Sequence, residues 1–402
     1  MLRPDSPAMT WLLGGLVAMG PLAMDIYLVS MPTMGAALGA SAEQVQLTLS
    51  VYMYGWGIGQ LLAGSSDRWG RRPVLLAGLA VVVLASTACA LARDVHTLIA
   101  ARFVQALGMA AVFSVPRAVV RDLYSAEHAA RVLSVMGIML SIAPIVAPLL
   151  GSHLHVWLGW QANFAFVALY GAAALALSAA RLPETIKSAN PNALDPRAMF
   201  ATSATLVRSR QYVGYVLVAA FASGGLFAFL AGGSFVFISV MGAGERGFGI
   251  LFSAVMVGNI VGAVLASRTV LRYGIDALLR ISTAVMLAAG GVVAALAWAG
   301  VNHPAAVVVP MFVFMAAFTA TIPQATAGAL TPFPRIAGAA TSLLSLCQFT
   351  VASTWALIVG LAYDGTQRPM AAAIVAAAAL AFITFRLVVR PARAAAPPDR
   401  SR

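Results

Sequence analysis

Twelve apolar runs, each about long enough to cross a bilayer, constrain this chain more than any other feature. They fall at residues 11–32, 45–64, 74–92, 96–118, 132–152, 160–180, 212–240, 248–267, 277–300, 304–324, 337–360 and 369–389. A spanning helix needs about 20 mostly apolar residues. In hydrocarbon, a helix satisfies every backbone N–H and C=O within its own segment. Composition excludes a soluble fold: 61% of residues are hydrophobic and 9% charged, against about 25% charged in soluble domains. The expected fold is therefore an all-α polytopic membrane protein with twelve transmembrane helices. The net charge of +12 belongs to loops rather than to a nucleic-acid partner.

Loop charges alternate along the chain. With the N-terminus in the cytoplasm, the outer loops hold only Arg93, Arg246 and Arg368, and Arg102 falls inside a run. The other 21 of the 25 basic residues, Arg117 among them, go to inner segments. Such a bias fixes both termini inside. The first run is too long for a cleavable signal peptide and lacks an A-x-A-like site after it. Residues 181–211 contain LPET, NPN and DPR and read as a cytoplasmic linker. The linker divides the chain into an N-terminal six-helix bundle, 1–180, and a C-terminal one, 212–390. A disordered cytoplasmic tail follows at 391–402. Asp67-Arg68-Trp69-Gly70 and Leu271-Arg272-Tyr273-Gly274 form a faint repeat across the linker. Two similar halves suit a secondary transporter with its site between them. Ser41 with Gln44 reads as a capping box opening the second run.

Of thirteen acids, only Asp25 lies at membrane depth. An intramembrane ionisable residue points to function, here a coupling proton. A polar residue satisfied by its neighbours, locking two helices, is the plainer alternative. Arg102 is its natural partner, although an arginine there also suits a snorkelling anchor. Gln105 and Met109 follow Arg102 on one helical face. Residues 64–73, GSSDRWGRRP, pack an acid and three arginines into a turn that Gly70 permits. Ion pairs of this loop with Arg121 and Asp122 are expected to hold the cytoplasmic side closed. In the fifth run, Pro144 and Pro148 lie among small residues, which favour bending and close approach.

No phosphate-loop motif appears, and no cofactor is expected. Cys89 and Cys347 indicate no disulfide framework. His153 and His155 alone are weak evidence for a metal. Met24, Leu28, Met139, Phe227 and Phe229, with Gln105 and Met109, are the candidate substrate contacts. Soft methionines and flat rings suit varied apolar ligands. Small molecules, protons and lipid are thus the expected partners.

The motifs MDIYLVSMP, GSSDRWGRRPV, RFVQALG and APIVAPLLG resemble the signatures of the major facilitator superfamily. With QLTLS, VVRDLY and LPET, the set resembles its Bcr/CflA branch of drug/proton antiporters. The resemblance implies a monomeric inner-membrane exporter of small, mostly apolar drugs such as chloramphenicol- or bicyclomycin-like compounds, in exchange for protons. It makes Asp25 and Arg102 the proton-coupling residues. Asp67, Gly70, Arg71, Arg72 and Arg121 match its gate, to which the charge reading of the loop adds Arg68 and Asp122, and Pro144, Ala147, Pro148 and Gly151 match its antiporter motif. Two departures stand out: Ser66 replaces an apolar residue, and Ala147 replaces the glycine before the proline. A proton-coupled exporter of a sugar or amino acid is the alternative; a non-transporting sensor lacks an output domain, and an enzyme lacks a catalytic constellation.

Overall fold

A computed structural model describes residues 6–61, 64–186, 188 and 195–389. The expected tail lies outside them, as do Lys187 and the NPN stretch of the linker. The helices are α1 Pro7–Asp25, α2 Met31–Leu38, α3 Ala42–Leu61, α4 Ser65–Trp69, α5 Arg71–Leu91, α6 Val95–Leu123, α7 Ala126–Leu158 and α8 Gln161–Arg181. There follow α9 Pro196–Arg208, α10 Arg210–Ser234, α11 Gly244–Tyr273, α12 Ile275–Trp298, α13 Ala305–Leu330, α14 Ala337–Leu361 and α15 Arg368–Leu387. No strand occurs among the described residues.

Eleven spans are long and apolar enough to cross a membrane. The twelfth, α3, is long enough but less apolar. It carries Gln46, Thr48, Ser50, Tyr52 and Gln60, all buried, so its polar atoms face protein rather than lipid. A Ser41–Gln44 capping box opens it: Ser41 N donates to Gln44 Oε1 at 3.0 Å, and Gln44 N to Ser41 Oγ at 3.2 Å.

Three elements differ from the sequence reading. The first run is not one helix. It breaks after Asp25, passes through a single turn at Leu28–Ser30 and resumes as α2 with Pro32 in its first turn. Gly151 of α7 lies against the Ile26 carbonyl at that break, where a Cβ would overlap it. The fifth run is longer than expected: α7 continues through Pro144 and Pro148 for 33 residues. The linker contains a helix, α9, which packs on α10 and α14.

The faint repeat has a structural counterpart. Gly70 (φ 99°) ends α4 and Gly274 (φ 78°) ends α11, both in the left-handed region that glycine enters freely. Arg68 lies 5.8 Å from the Trp69 ring centroid and Arg272 5.3 Å from that of Tyr273.

α1 packs on α6 and α7; α5 packs on α6 and α8, and α6 also on α3. Among the later helices, α10 packs on α13, α14 and α15, α12 on α13 and α15, and α11 on α13. Two seams join these groups, α3 with α14 and α7 with α11. Their polar contacts include Ser353 Oγ to Ser50 O (2.5 Å), Ser253 Oγ to Ile145 O (2.6 Å) and Tyr54 Oη with Thr354 Oγ1 (2.9 Å). Glycines let the backbones approach: Gly360 faces the Gln46 side chain, Gly57 faces Phe349, and Gly249 faces the Pro148 carbonyl. On α7 and α11 these contacts lie in the half away from the Gly70 turn. The α7–α11 seam is sealed at that end.

Candidate functional site

Asp25 closes α1 where the helix breaks, and among the described residues it is the only acid buried in the core, 2% exposed. Its Oδ1 has no hydrogen-bond partner among the described residues. Arg102 lies two turns inside α6, roughly 10 Å along the axis at ~1.5 Å per residue, and is fully buried.

The expected Asp25–Arg102 ion pair is not made among the described residues. Arg102 is caged by rings instead. Its guanidinium carbon lies 3.9 Å from the Tyr52 centroid, 4.2 Å from Tyr27 and 5.8 Å from Phe164. Nη1 donates to Gln105 Oε1 (2.6 Å) and to the Ala23 carbonyl (3.3 Å). Gln105 Nε2 donates to Ser86 Oγ (2.7 Å), whose hydroxyl donates to Val82 O (2.6 Å). A desolvated guanidinium gains up to about 2 kcal/mol from an aromatic face, so the cage gives a buried cation a place without a carboxylate. Arg102 Nε and Nη2 and Tyr52 Oη have no hydrogen-bond partner among the described residues. Unpaired donors and an unpaired carboxylate oxygen thus lie among α1, α3 and α6, where buried polar groups ordinarily find partners.

The candidate substrate contacts divide in two. Met24 and Met139 are half-buried. Leu28, Met109, Phe227 and Phe229 are buried in the core, and Phe229 stacks on Phe252 at 5.3 Å. Gln105 is committed to Arg102 and Ser86.

The Asp67 loop folds onto its own half. Arg71 Nη1 pairs with Asp67 Oδ1 (2.5 Å) and donates to Ser66 Oγ (2.7 Å), and Nε pairs with Asp122 Oδ2 (2.8 Å). Thr185 Oγ1 also donates to Asp122, at 3.2 Å. Asp122 is therefore a partner of the loop, as expected. Arg121 is not: it is exposed, and Asp67 is satisfied one turn away by Arg71. Ser66, the departure from the apolar pattern, supplies a hydroxyl to that arginine.

Glu184 is the residue that sequence reasoning missed. It accepts from the N–H groups of Arg71 (3.0 Å) and Arg72 (3.1 Å), the orphan donors that open α5. It also accepts from Thr185 and Ile186 at 2.9 and 3.1 Å. Gly70 lets it approach, since a Cβ there would meet Glu184 Oε2 at 2.6 Å. The available signal was LPET, an acid with no helix of its own to cap. Arg72 Nη2 donates to Ala179 O at 2.7 Å.

At the sealed end, His155 Nδ1 lies 2.9 Å from Ser30 Oγ, which also accepts from Asn163 Nδ2 at 2.9 Å. His155 Nε2 lies 4.0 Å from Glu245 Oε1 across the α7–α11 seam. Ala147, Pro148 and Gly151 are buried there.

Long apolar helices in two joined groups, a broken first span and a buried acid define a class: a multi-pass membrane carrier. The chain belongs to the Major Facilitator Superfamily, whose family model matches residues 13–356. It is 33% identical over 384 residues to a bicyclomycin resistance protein homolog of Haemophilus influenzae, covering 93% of this chain and 95% of that protein. It is 33% identical over 356 residues to a chloramphenicol resistance protein of Pseudomonas aeruginosa, covering 87% and 83%. Its fold matches the inward-facing, unoccupied bacterial homolog of the human lysosomal transporter Spinster at TM-score 0.72 and 15% identity, over 96% of this chain and 100% of that one.

Proposed function

We propose that this protein exports small, mostly apolar drugs across the bacterial inner membrane in exchange for protons, with Asp25 as the proton carrier. The observation that carries the reading is Asp25 itself, a core acid with an unpaired oxygen at the break of the first span. Relatives named for bicyclomycin and chloramphenicol resistance supply the substrate class. In this reading the chain is a monomer with both termini in the cytoplasm. Bundles 1–180 and 212–390 rock about the α3–α14 and α7–α11 seams, joined by linker 181–211. The sealed end faces outward. Arg102 acts on Asp25 through the space they share rather than through a direct bond. Met24 and Met139 meet the drug first, and the buried candidates are uncovered as the bundles move. One charge moving down 100 mV supplies about 2.3 kcal/mol, roughly a 50-fold gradient of a neutral drug. A sugar or amino-acid cargo is the second reading, and the relatives named for drug resistance favour the first.

The test is drug-induced proton release from purified protein in weak buffer. Wild type is expected to release protons when drug is added, and Asp25→Asn to release none while still binding drug. Proton release that survives Asp25→Asn places the carrier elsewhere and ends this reading.

A further inference from the structure

Arg117 was counted by sequence among the loop arginines that anchor the chain. The structure puts it inside α6, six residues before the helix ends at Leu123. An anchoring arginine extends toward the membrane surface at its own end of the helix. Arg117 does the reverse. It turns back one helical turn, as helical side chains incline, and its guanidinium carbon lies 3.9 Å from the Phe113 centroid. It has no hydrogen bond or ion pair among the described residues.

Phe113 is the first of three touching rings. Its edge meets Trp56 of α3 at 5.3 Å and 78°, and Trp56 stacks on Phe349 of α14 at 5.4 Å and 23°. The row therefore runs from α6 across the α3–α14 seam, from one group of helices to the other. Trp56 is 3% exposed, and its indole N–H has no acceptor. Phe113, Arg117 and Phe349 are half-buried. Gly20 of α1 leaves room beside the row, since a Cβ there would meet Trp56 at once.

We propose that Arg117, Phe113, Trp56 and Phe349 form a binding site for planar aromatic carboxylates. A guanidinium stacked on a ring keeps its in-plane N–H groups free for bidentate pairing with a carboxylate. The half-buried Phe113 and Phe349 supply apolar surface, and the buried Trp56 holds the two in one row. A half-buried cation without a protein partner has N–H groups left to pair with an anionic ligand. The site rests on the export reading for its meaning but extends it, because it assigns a charged class of cargo where mostly neutral drugs were expected. Its position across the seam makes occupancy sensitive to how the two groups of helices sit.

Calorimetric titration of the purified full-length chain with naphthoate and its neutral isostere naphthamide tests the site. Wild type is expected to prefer naphthoate by about tenfold, the scale of a charge-assisted bidentate pair. Arg117→Gln should bring both ligands to one affinity, and Trp56→Leu should weaken both. Arg117→Lys, which keeps the charge but not the planar fork, should keep only part of the preference, and it serves should the glutamine variant fail to fold. Equal wild-type affinities, or a preference that persists in folded Arg117→Gln or is undiminished in Arg117→Lys, overturn the site. The export reading is separated by proton release: naphthoate bound through Arg117 with no Asp25-dependent release to any ligand leaves the site standing and removes the exporter.

Discussion

Arg102 meets two tyrosine faces, a carbonyl and an amide, with no acid in direct contact. Keeping a single charge out of water costs on the order of several kcal/mol, a cost that an apolar residue of similar length does not carry. Arg102→Met is therefore expected to hold or raise the unfolding temperature in detergent and yet lose drug-induced proton release. A purely structural arginine would give the opposite pattern: lower stability, with coupling kept in the surviving protein. The depth of Asp25 and Arg102 was legible from sequence, because two ionisable groups interrupt apolar runs. The cage was not. Tyr27, Tyr52 and Phe164 come from three separate stretches of chain, and hydropathy carries no information about which rings meet. A faint signal existed in Thr48, Tyr52, Trp56 and Gln60, which recur every four residues on α3.

The start of α5 depends on a residue from beyond α8. Partial burial raises the Glu184 pKa, but hydrogen bonds from the N–H groups of Ile186, Arg71, Thr185 and Arg72 together outweigh it and hold the carboxyl below its usual value. A lowered folded pKa means that the contribution is present above the unfolded value of about 4.3 and is lost as pH falls through the folded one. A helix cap contributes on the order of 1 kcal/mol, and less here because the group is largely exposed. Glu184→Ala is expected to lower the unfolding temperature by about 1–2 °C at neutral pH. The gap from wild type should close below about pH 4; a gap unchanged by acid would mean that the carboxylate charge is irrelevant. The existence of the long helices was legible, since length and hydropathy determine it. The break after Asp25 was not, because it depends on Gly151 of α7 meeting the Ile26 carbonyl, a contact 125 residues apart.

Across the molecule, the two groups of helices meet where glycines and small polar residues face each other. The Gln46 Cβ lies 3.2 Å from where a Cβ on Gly360 would stand, close to the separation of about 3.5–4.5 Å that a disulfide spans. With Cys89 and Cys347 changed to serine, the pair Gln46→Cys and Gly360→Cys is expected to cross-link on oxidation. Drug export should then stop and return on reduction. Full export by a fully cross-linked protein would show that this seam does not need to part. The twelve spans were legible in the sequence, whereas the seams were not, since a glycine reads the same in a turn, at a packed crossing or facing lipid. α3 escapes the hydropathy criterion for the reason that makes it useful: its buried Gln46, Ser50, Tyr52 and Trp56 leave polar atoms unpaired against the neighbouring helices.

The Glu184 cap also sets a schedule for biosynthesis. The carboxylate that closes α5 leaves the ribosome 113 residues after Arg71. Until α8 is made and inserted, the newborn hairpin of α5 and α6 carries open amides at its start. Arg71 meanwhile holds only Asp67, Ser66 and Asp122. Synthesis past the eighth helix to Glu184 is thus what completes the start of the fifth.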